Sequence, residues 1–150
     1  MKSKNELITK RKGKRKLSGW IIVLIIVAVL GIGGTIGWSF LAKEHREARN
    51  LPIRAVDFNH LKDGNYFGEY EGGMYKWRTN EVQVTVSSGK VTDIKLLKNK
   101  ENLKPEFTNE LYDRVIKSQS LQVDTISGAT LTSKAYLKSV ENALDKAEKR

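Results

Sequence analysis

Between Asp124 and Ser133 the chain reads DTISGATLTS, with hydroxyls at Thr125, Ser127, Thr130, Thr132 and Ser133 and a carboxylate at Asp124. The stretch has almost nothing apolar to bury, so it cannot build a core. Gly128 lacks the Cβ barrier and lets the backbone bend sharply or approach a ligand closely. Ser and Thr beside a helix start supply N–H and O–H donors suited to a phosphate. Two readings follow, a phosphate site or modified hydroxyl, or an ordinary strand-to-helix turn whose side chains satisfy the first free N–H groups of the helix. Local composition alone favours the ordinary turn.

Asp124, Ser127, Gly128, Ala129 and Thr130 together resemble the D-x-x-[ST]-G-A-T signature of the FMN-binding domain family. That family includes the flavin-carrying subunits of the sodium-translocating NADH:quinone oxidoreductase and of Rnf-type complexes. A second patch, Asp63, Gly64, Tyr66, Gly68 and Gly72 in DGNYFGEYEG, is similar to the entry strand of the same domain. The resemblance implies covalent FMN, joined by a phosphoester to Thr130. It also implies that a separate magnesium-dependent flavin transferase attaches it from FAD. On this basis Asp124 orients the loop through its N–H groups or is recognised by the transferase. Ser127 and Thr132 bond the phosphate, and Gly128 and Ala129 give it clearance. Tyr66, Tyr70, Tyr75, Trp77 and Tyr136 are candidates to stack on the ring.

The elements that must position this loop follow from charge and periodicity. The net charge is +10, but residues 1–16 hold eight Lys or Arg against Glu6, and the other 134 residues hold 19 basic and 16 acidic side chains. The basicity is a tail, which argues against nucleic acid as a partner. It directly precedes the uncharged run 17–42, which as a helix would span about 39 Å at about 1.5 Å per residue, more than a hydrocarbon core of about 30 Å. Trp20 and Trp38 stand near its two ends. The Lys and Arg excess before the run predicts a cytoplasmic N-terminus and an extracytoplasmic remainder, a single-pass protein of the cell membrane. A signal peptide would have an apolar segment of about 7–15 residues followed by a small-x-small cleavage site, whereas this run is longer and ends in WSFLAKEH, a poor cleavage context. The bilayer is thus one expected partner.

Residues 43–62 are charged and mixed, a tether in which Pro52 ends any continuation of the helix. The expected folded domain is 63–150. Asp63-Gly64 marks a turn, followed by a strand over 65–71. The strand over 81–87 alternates, with Val82, Val84 and Val86 inward. Ser88-Gly89 turns the chain into a third strand over 91–97, with Val91, Ile94 and either Leu96 or Leu97 in the core. Pro105 suits the first turn of a helix to about Lys117, with Phe107, Leu111 and Val115 or Ile116 on its apolar stripe. A short strand is expected over 119–123. A final helix over 132–149 would carry Tyr136, Val140, Ala143, Leu144 and Ala147 inward. The predicted fold class is α+β, a small antiparallel sheet packed with two helices, preceded by one transmembrane helix.

The absence of Cys excludes disulfides, thiolate nucleophiles and Cys-held iron–sulfur clusters. His45 and His60 have no metal-ligand spacing. A hydrolase using Ser127 or Thr130 would need a nearby base, and there is neither a motif His nor G-x-S-x-G. The chemistry expected is electron carriage by the flavin, with an unidentified membrane donor and external acceptor. The alternative is a membrane-anchored cell-envelope binding or regulatory domain without a cofactor. No catalytic residue and no metal ligand is expected.

Overall fold

The computed structural model describes residues 19–73 and 75–148; the basic tail 1–16 and the first two residues of the apolar run lie outside them. The chain divides into two units, one ending at Ser39 and one beginning at Phe40. Helix α1, Gly19–Arg49, is long and apolar enough to cross a membrane. Its side chains from Trp20 to Leu41 are exposed, an arrangement that water disfavours and lipid accepts. Its hydroxyls are satisfied internally, Thr35 donating to the Ile32 carbonyl and Ser39 to that of Thr35, each at 2.9 Å. That is what an apolar solvent requires.

The second unit is a three-stranded antiparallel sheet, β1 (Gly64–Tyr70), β2 (Asn80–Ser87) and β3 (Lys90–Asn99), in that order, with α2 (Pro105–Ser118) and α3 (Thr130–Ala147). The α+β class expected from the sequence is the class found. Val82, Val84 and Val86 point into the core because side chains alternate along a strand. Bulges between Glu81 and Val82 and between Thr85 and Val86 decide the inward residues of β3. Val82 pairs with Leu96, which is half-buried, while Leu97 is left outside at 43% exposure.

The β2–β3 turn has positive φ at both Ser88 (55°) and Gly89 (71°), the backbone twist favoured in two-residue hairpins. The Asp63 carboxylate accepts hydrogen bonds from the Ser88 and Gly89 N–H groups at 2.9 and 2.7 Å. An acidic residue at the start of β1 thus fixes the next hairpin.

Residues 119–123 form no strand. Gln119 turns the chain in the left-handed region (φ 48°). Its side-chain amide bonds both the N–H and the carbonyl of Val91, at 3.0 and 2.8 Å. One side chain supplies at the β3 edge what a neighbouring strand would have supplied. The last helix begins at Thr130 rather than 132, so Thr130 opens the helix instead of ending a loop.

α3 packs across β1 and β2, placing the buried residues Tyr136, Val140, Ala143, Leu144 and Ala147 against the sheet. The segment before β1 lies along this helix. Arg54 pairs with Glu141 at 2.9 Å and with Asp145 at 2.5 Å, and Lys138 reaches Glu141 at 2.7 Å. Burial is the largest influence on the Glu141 carboxyl and works to raise it, but the Lys138 and Arg54 hydrogen bonds together hold it below the usual carboxylate range. A depressed folded value means that the stabilisation is present above the unfolded value of about 4.3 and is lost as pH falls through the folded value. Between about pH 5 and pH 3 the parent should lose more stability than Glu141→Gln, read as the difference in urea midpoint. Parallel midpoints for the two proteins would show that this pairing does not contribute.

Candidate functional site

The signature loop is a tight turn clamped to the start of α3. Ala129 N–H donates to the Ile126 carbonyl at 3.0 Å, and Gly128 has φ 77°. Positive φ at the third residue of a four-residue turn is the type II pattern, which favours glycine there. A Cβ built at Gly128 would meet nothing within 4 Å, so conformation and not crowding selects glycine. Space is open above the turn.

Ser133 holds the turn in place. Fully buried, it accepts a hydrogen bond from Ile126 N–H at 3.1 Å and donates to the Ala129 carbonyl at 2.9 Å. It closes both ends of the turn at once. Ser133→Ala would leave the Ile126 N–H without a partner, at a cost of about 1–3 kcal/mol. Faster hydrogen exchange at Ile126 and a lower unfolding midpoint are expected; unchanged exchange would show that water replaces the hydroxyl without penalty.

Arg114 of α2 braces the loop from the other side. Its Nη1 donates to the Asp124 carbonyl at 2.7 Å and its Nη2 is held by Glu110 at 2.6 Å. The Asp124 carboxylate is exposed and, among the described residues, accepts no hydrogen bond from the loop. The backbone carbonyl at 124 is what is held, through a cation ten residues earlier.

Thr130, Ser127 and Gly128 are exposed, and Ala129 and Thr132 are half-buried. Thr130 Oγ1 lies 3.5 Å from Thr125 Oγ1, the outer limit of a hydrogen bond. Thr130 is the first residue of an 18-residue helix with no side-chain cap and no acid in its first turn. Ser133 N–H makes the first intrahelical bond, to the Ala129 carbonyl, so the N–H groups of residues 130–132 have no partner within the helix. The positive end of the helix dipole stands beside an exposed hydroxyl, and the helix's own first turn contains no acidic residue.

Thr132 Oγ1 donates to Glu101 Oε1 at 3.2 Å, away from Thr130. Glu101 belongs to a semi-buried ionic chain in which Arg78 lies 3.9 Å from it and 3.6 Å from Glu44. Burial raises the Glu101 carboxyl, while Arg78 and the Thr132 hydroxyl pull the other way. Arg114, Arg78 and Glu101 carry no local sequence signal beyond their types, because each acts on a residue distant in the chain.

Of the aromatics, Tyr136 is buried and meets Phe107 edge-on, and Tyr75 stacks on Trp77 with centroids 5.2 Å apart. Tyr66 donates to the Lys62 carbonyl at 3.0 Å. Beside the loop, a cavity of about 550 Å³ is bounded by residues 49–53, by 121–125 and by Lys134 and Leu137 of α3. None of these five aromatics lines it.

Residues 76–145 match the family model described as FMN-binding domain. A stretch of 105 residues is 33% identical to the NADH:acrylate oxidoreductase of Vibrio harveyi, covering 68% of this chain and 10% of that protein. The chain thus spans only a small part of that relative. A crystal structure of a Clostridium perfringens protein aligns at 26% identity with a TM-score of 0.47, over 59% of this chain and 89% of that one.

Proposed function

We propose that this chain, whose residues 76–145 belong to the FMN-binding domain family, carries FMN through a phosphoester on Thr130 and serves as a membrane-anchored electron carrier. The observation that supports the reading most directly is an exposed hydroxyl on the first residue of α3, at a helix N-terminus lacking both a capping side chain and an acid. A phosphate on that oxygen would meet the unpaired N–H groups of residues 130–132 and the positive end of the dipole. The open space at Gly128 leaves room for it. The residues present fit the phosphate end of the cofactor.

Thr130 itself is a passive acceptor. Its described hydroxyl neighbour is Thr125, and the Lys134 ammonium is engaged by the Arg49 carbonyl at 2.5 Å. An unassisted threonine hydroxyl is a weak nucleophile and needs a base or a metal supplied to it. A separate flavin transferase using FAD answers that need, with the Thr130 Oγ1–phosphorus bond replacing the pyrophosphate bond, AMP leaving, and the hydroxyl proton passing to the transferase. Exposed Asp124 and Ser127 are then available for its recognition.

Bound FMN supplies the electron chemistry, and the chain supplies position and electrostatics. A covalent tether keeps the cofactor at high effective concentration where a dissociated one would be diluted away. This matters most outside the cell, and the basic tail before α1 favours that placement, N-terminus cytoplasmic and 43–150 extracytoplasmic. The donor in this reading is a membrane dehydrogenase or the quinone pool, and the acceptor is external.

Intact mass of the full chain co-expressed with a flavin transferase tests the reading. The expected gain is FMN less one water, located by trypsin on the peptide Ser118–Lys134. An unmodified mass with a transferase proven active on another substrate would overturn it and leave an anchored binding domain without a cofactor.

A further inference from the structure

We infer that the stacked pair Tyr75 and Trp77, on the loop 71–79 between β1 and β2, is a second contact with the bilayer and sits in the headgroup layer where α1 leaves the membrane. The inference rests on the reading of α1 as a membrane span and is independent of Thr130.

The second unit itself contains the end of the apolar run, since it begins at Phe40 and the last uncharged residue of the run is Ala42. Two positions later Glu44 is only 2% exposed, although the large apolar side chains of the helix before it lie open. Its carboxylate is met by Arg78 from the end of the loop, Nη1 standing 3.6 Å from Oε1. A Cβ built on Gly73 of the same loop would lie 3.3 Å from that oxygen. The loop thus rests on α1 at Glu44. Separating a buried ion pair leaves an uncompensated charge, so the fastening is firm.

Depth follows from the helix rise. Glu44 comes two residues after Ala42 and six after Trp38, which is about 3 Å and about 9 Å along the axis. The headgroup layer on each side of the hydrocarbon is about 5–7 Å thick. A loop fastened at Glu44 is within an indole's reach of it. The loop also keeps its shape, because Thr79 Oγ1 donates to the Glu71 carbonyl at 2.7 Å and Gly72 and Gly73 hold φ of 88° and 72°.

What the loop presents suits that layer. Trp77 is 41% exposed and stacks on half-buried Tyr75 with ring centroids 5.2 Å apart. Rings with an apolar body and a polar tip collect where hydrocarbon meets headgroups, and water is the poorer solvent for them. Charge agrees with the location. Across 43–47 and 71–79 the exposed Lys and Arg are Lys43, Arg46 and Lys76 against the exposed acids Glu47 and Glu71, because burial takes Glu44 off the surface. The small positive balance suits lipid phosphates.

The test uses the full chain reconstituted in phosphatidylcholine vesicles, made without a flavin transferase so that no flavin absorbs the tryptophan emission. Trp20→Phe with Trp38→Phe leaves Trp77 as the reporter, and Trp20→Phe with Trp77→Phe leaves Trp38. Trp20 and Trp38 are 76% and 78% exposed, so replacing them disturbs no packing. Lipids brominated near the headgroup end or near the methyl end of the acyl chain then read depth by contact quenching. Trp38 should be quenched. Trp77 should lose most of its emission to the shallow label and less to the deep one. A quenched Trp38 beside a Trp77 that neither label affects would overturn this inference alone, leaving the pair to face water or a protein. So would a Trp77 quenched only by the deep label. No quenching of Trp38 would overturn the reading of α1 as a membrane span and this inference with it.

Discussion

Thr130→Ala is expected to yield a folded protein with no covalent flavin at all, the largest functional effect of any single substitution in this chain. The fold should tolerate the change. Thr130 is exposed and stands at the first position of α3, where alanine is an excellent helix former. Its one described side-chain contact is at the limiting distance of 3.5 Å. Loss of the mass gain therefore reports loss of the acceptor oxygen and not loss of structure. Thr125→Ala is the matched control, since it removes the neighbouring hydroxyl and should retain the flavin. Thr132→Ala should also retain it, because that hydroxyl is directed to Glu101. A Thr130→Ala protein that still gained FMN would move the attachment to another hydroxyl of the same tryptic peptide.

Gly68→Ala is expected to unfold or nearly unfold the second unit, and the reason is space alone. A Cβ at Gly68 would lie 1.9 Å from the Ser139 carbonyl oxygen, 2.5 Å from the Ala143 nitrogen and 2.9 Å from the Ala143 Cβ. Two of these are backbone atoms of α3, which cannot rotate away as a side chain can. The helix would have to lift from β1, withdrawing Tyr136, Val140 and Leu144 from the core they share with Val82 and Val84. Overpacking usually costs about 1–3 kcal/mol where side chains can adjust. Where a helix backbone must move, about 4 kcal/mol or more is reasonable, most of the margin of a domain at the lower end of the usual 5–15 kcal/mol. Urea unfolding followed by far-ultraviolet circular dichroism measures it. A midpoint shift worth less than about 1 kcal/mol would show that α3 does not approach β1 this closely.

Gly128 and Gly68 show why glycines of similar appearance differ. Gly128, inside the signature, is required by its positive φ and has open space around it; Gly68, inside a strand, has an ordinary φ and no space. Nothing local to the sequence distinguishes them. The close approach depends on a helix some seventy residues later, and it becomes visible only when that helix is laid on the sheet.

The same division runs through the site. DTISGATLTS could be read directly as a candidate because its hydroxyls, its glycine and its single carboxylate are contiguous. The brace from Arg114 to the carbonyl of Asp124 could not, since a guanidinium bonding to a backbone oxygen leaves no trace in the residue types at the receiving end. The charged stretch before β1 reads as a tether because it lacks apolar periodicity. Its attachment through Arg54 to Glu141 and Asp145 joins residues about ninety apart, and that pairing is set by the path of α3.

Alone, the sequence determined whatever depends on neighbours along the chain. The apolar run sets a helix long enough for a bilayer, the alternating valines set the inward face of β2, and the apolar stripes set the packing faces of α2 and α3. Tertiary structure decided what depends on neighbours in space. It replaced the expected strand at 119–123 with the Gln119 side chain, because one amide could satisfy both backbone groups of Val91. It started α3 at Thr130, because the Ser127-Gly128 turn and the buried Ser133 hydroxyl hold the backbone in helical geometry from that residue onward. The hydroxyl identified by its local pattern thereby acquired an uncapped helix terminus and a cavity beside it, which only the packing of distant segments supplies.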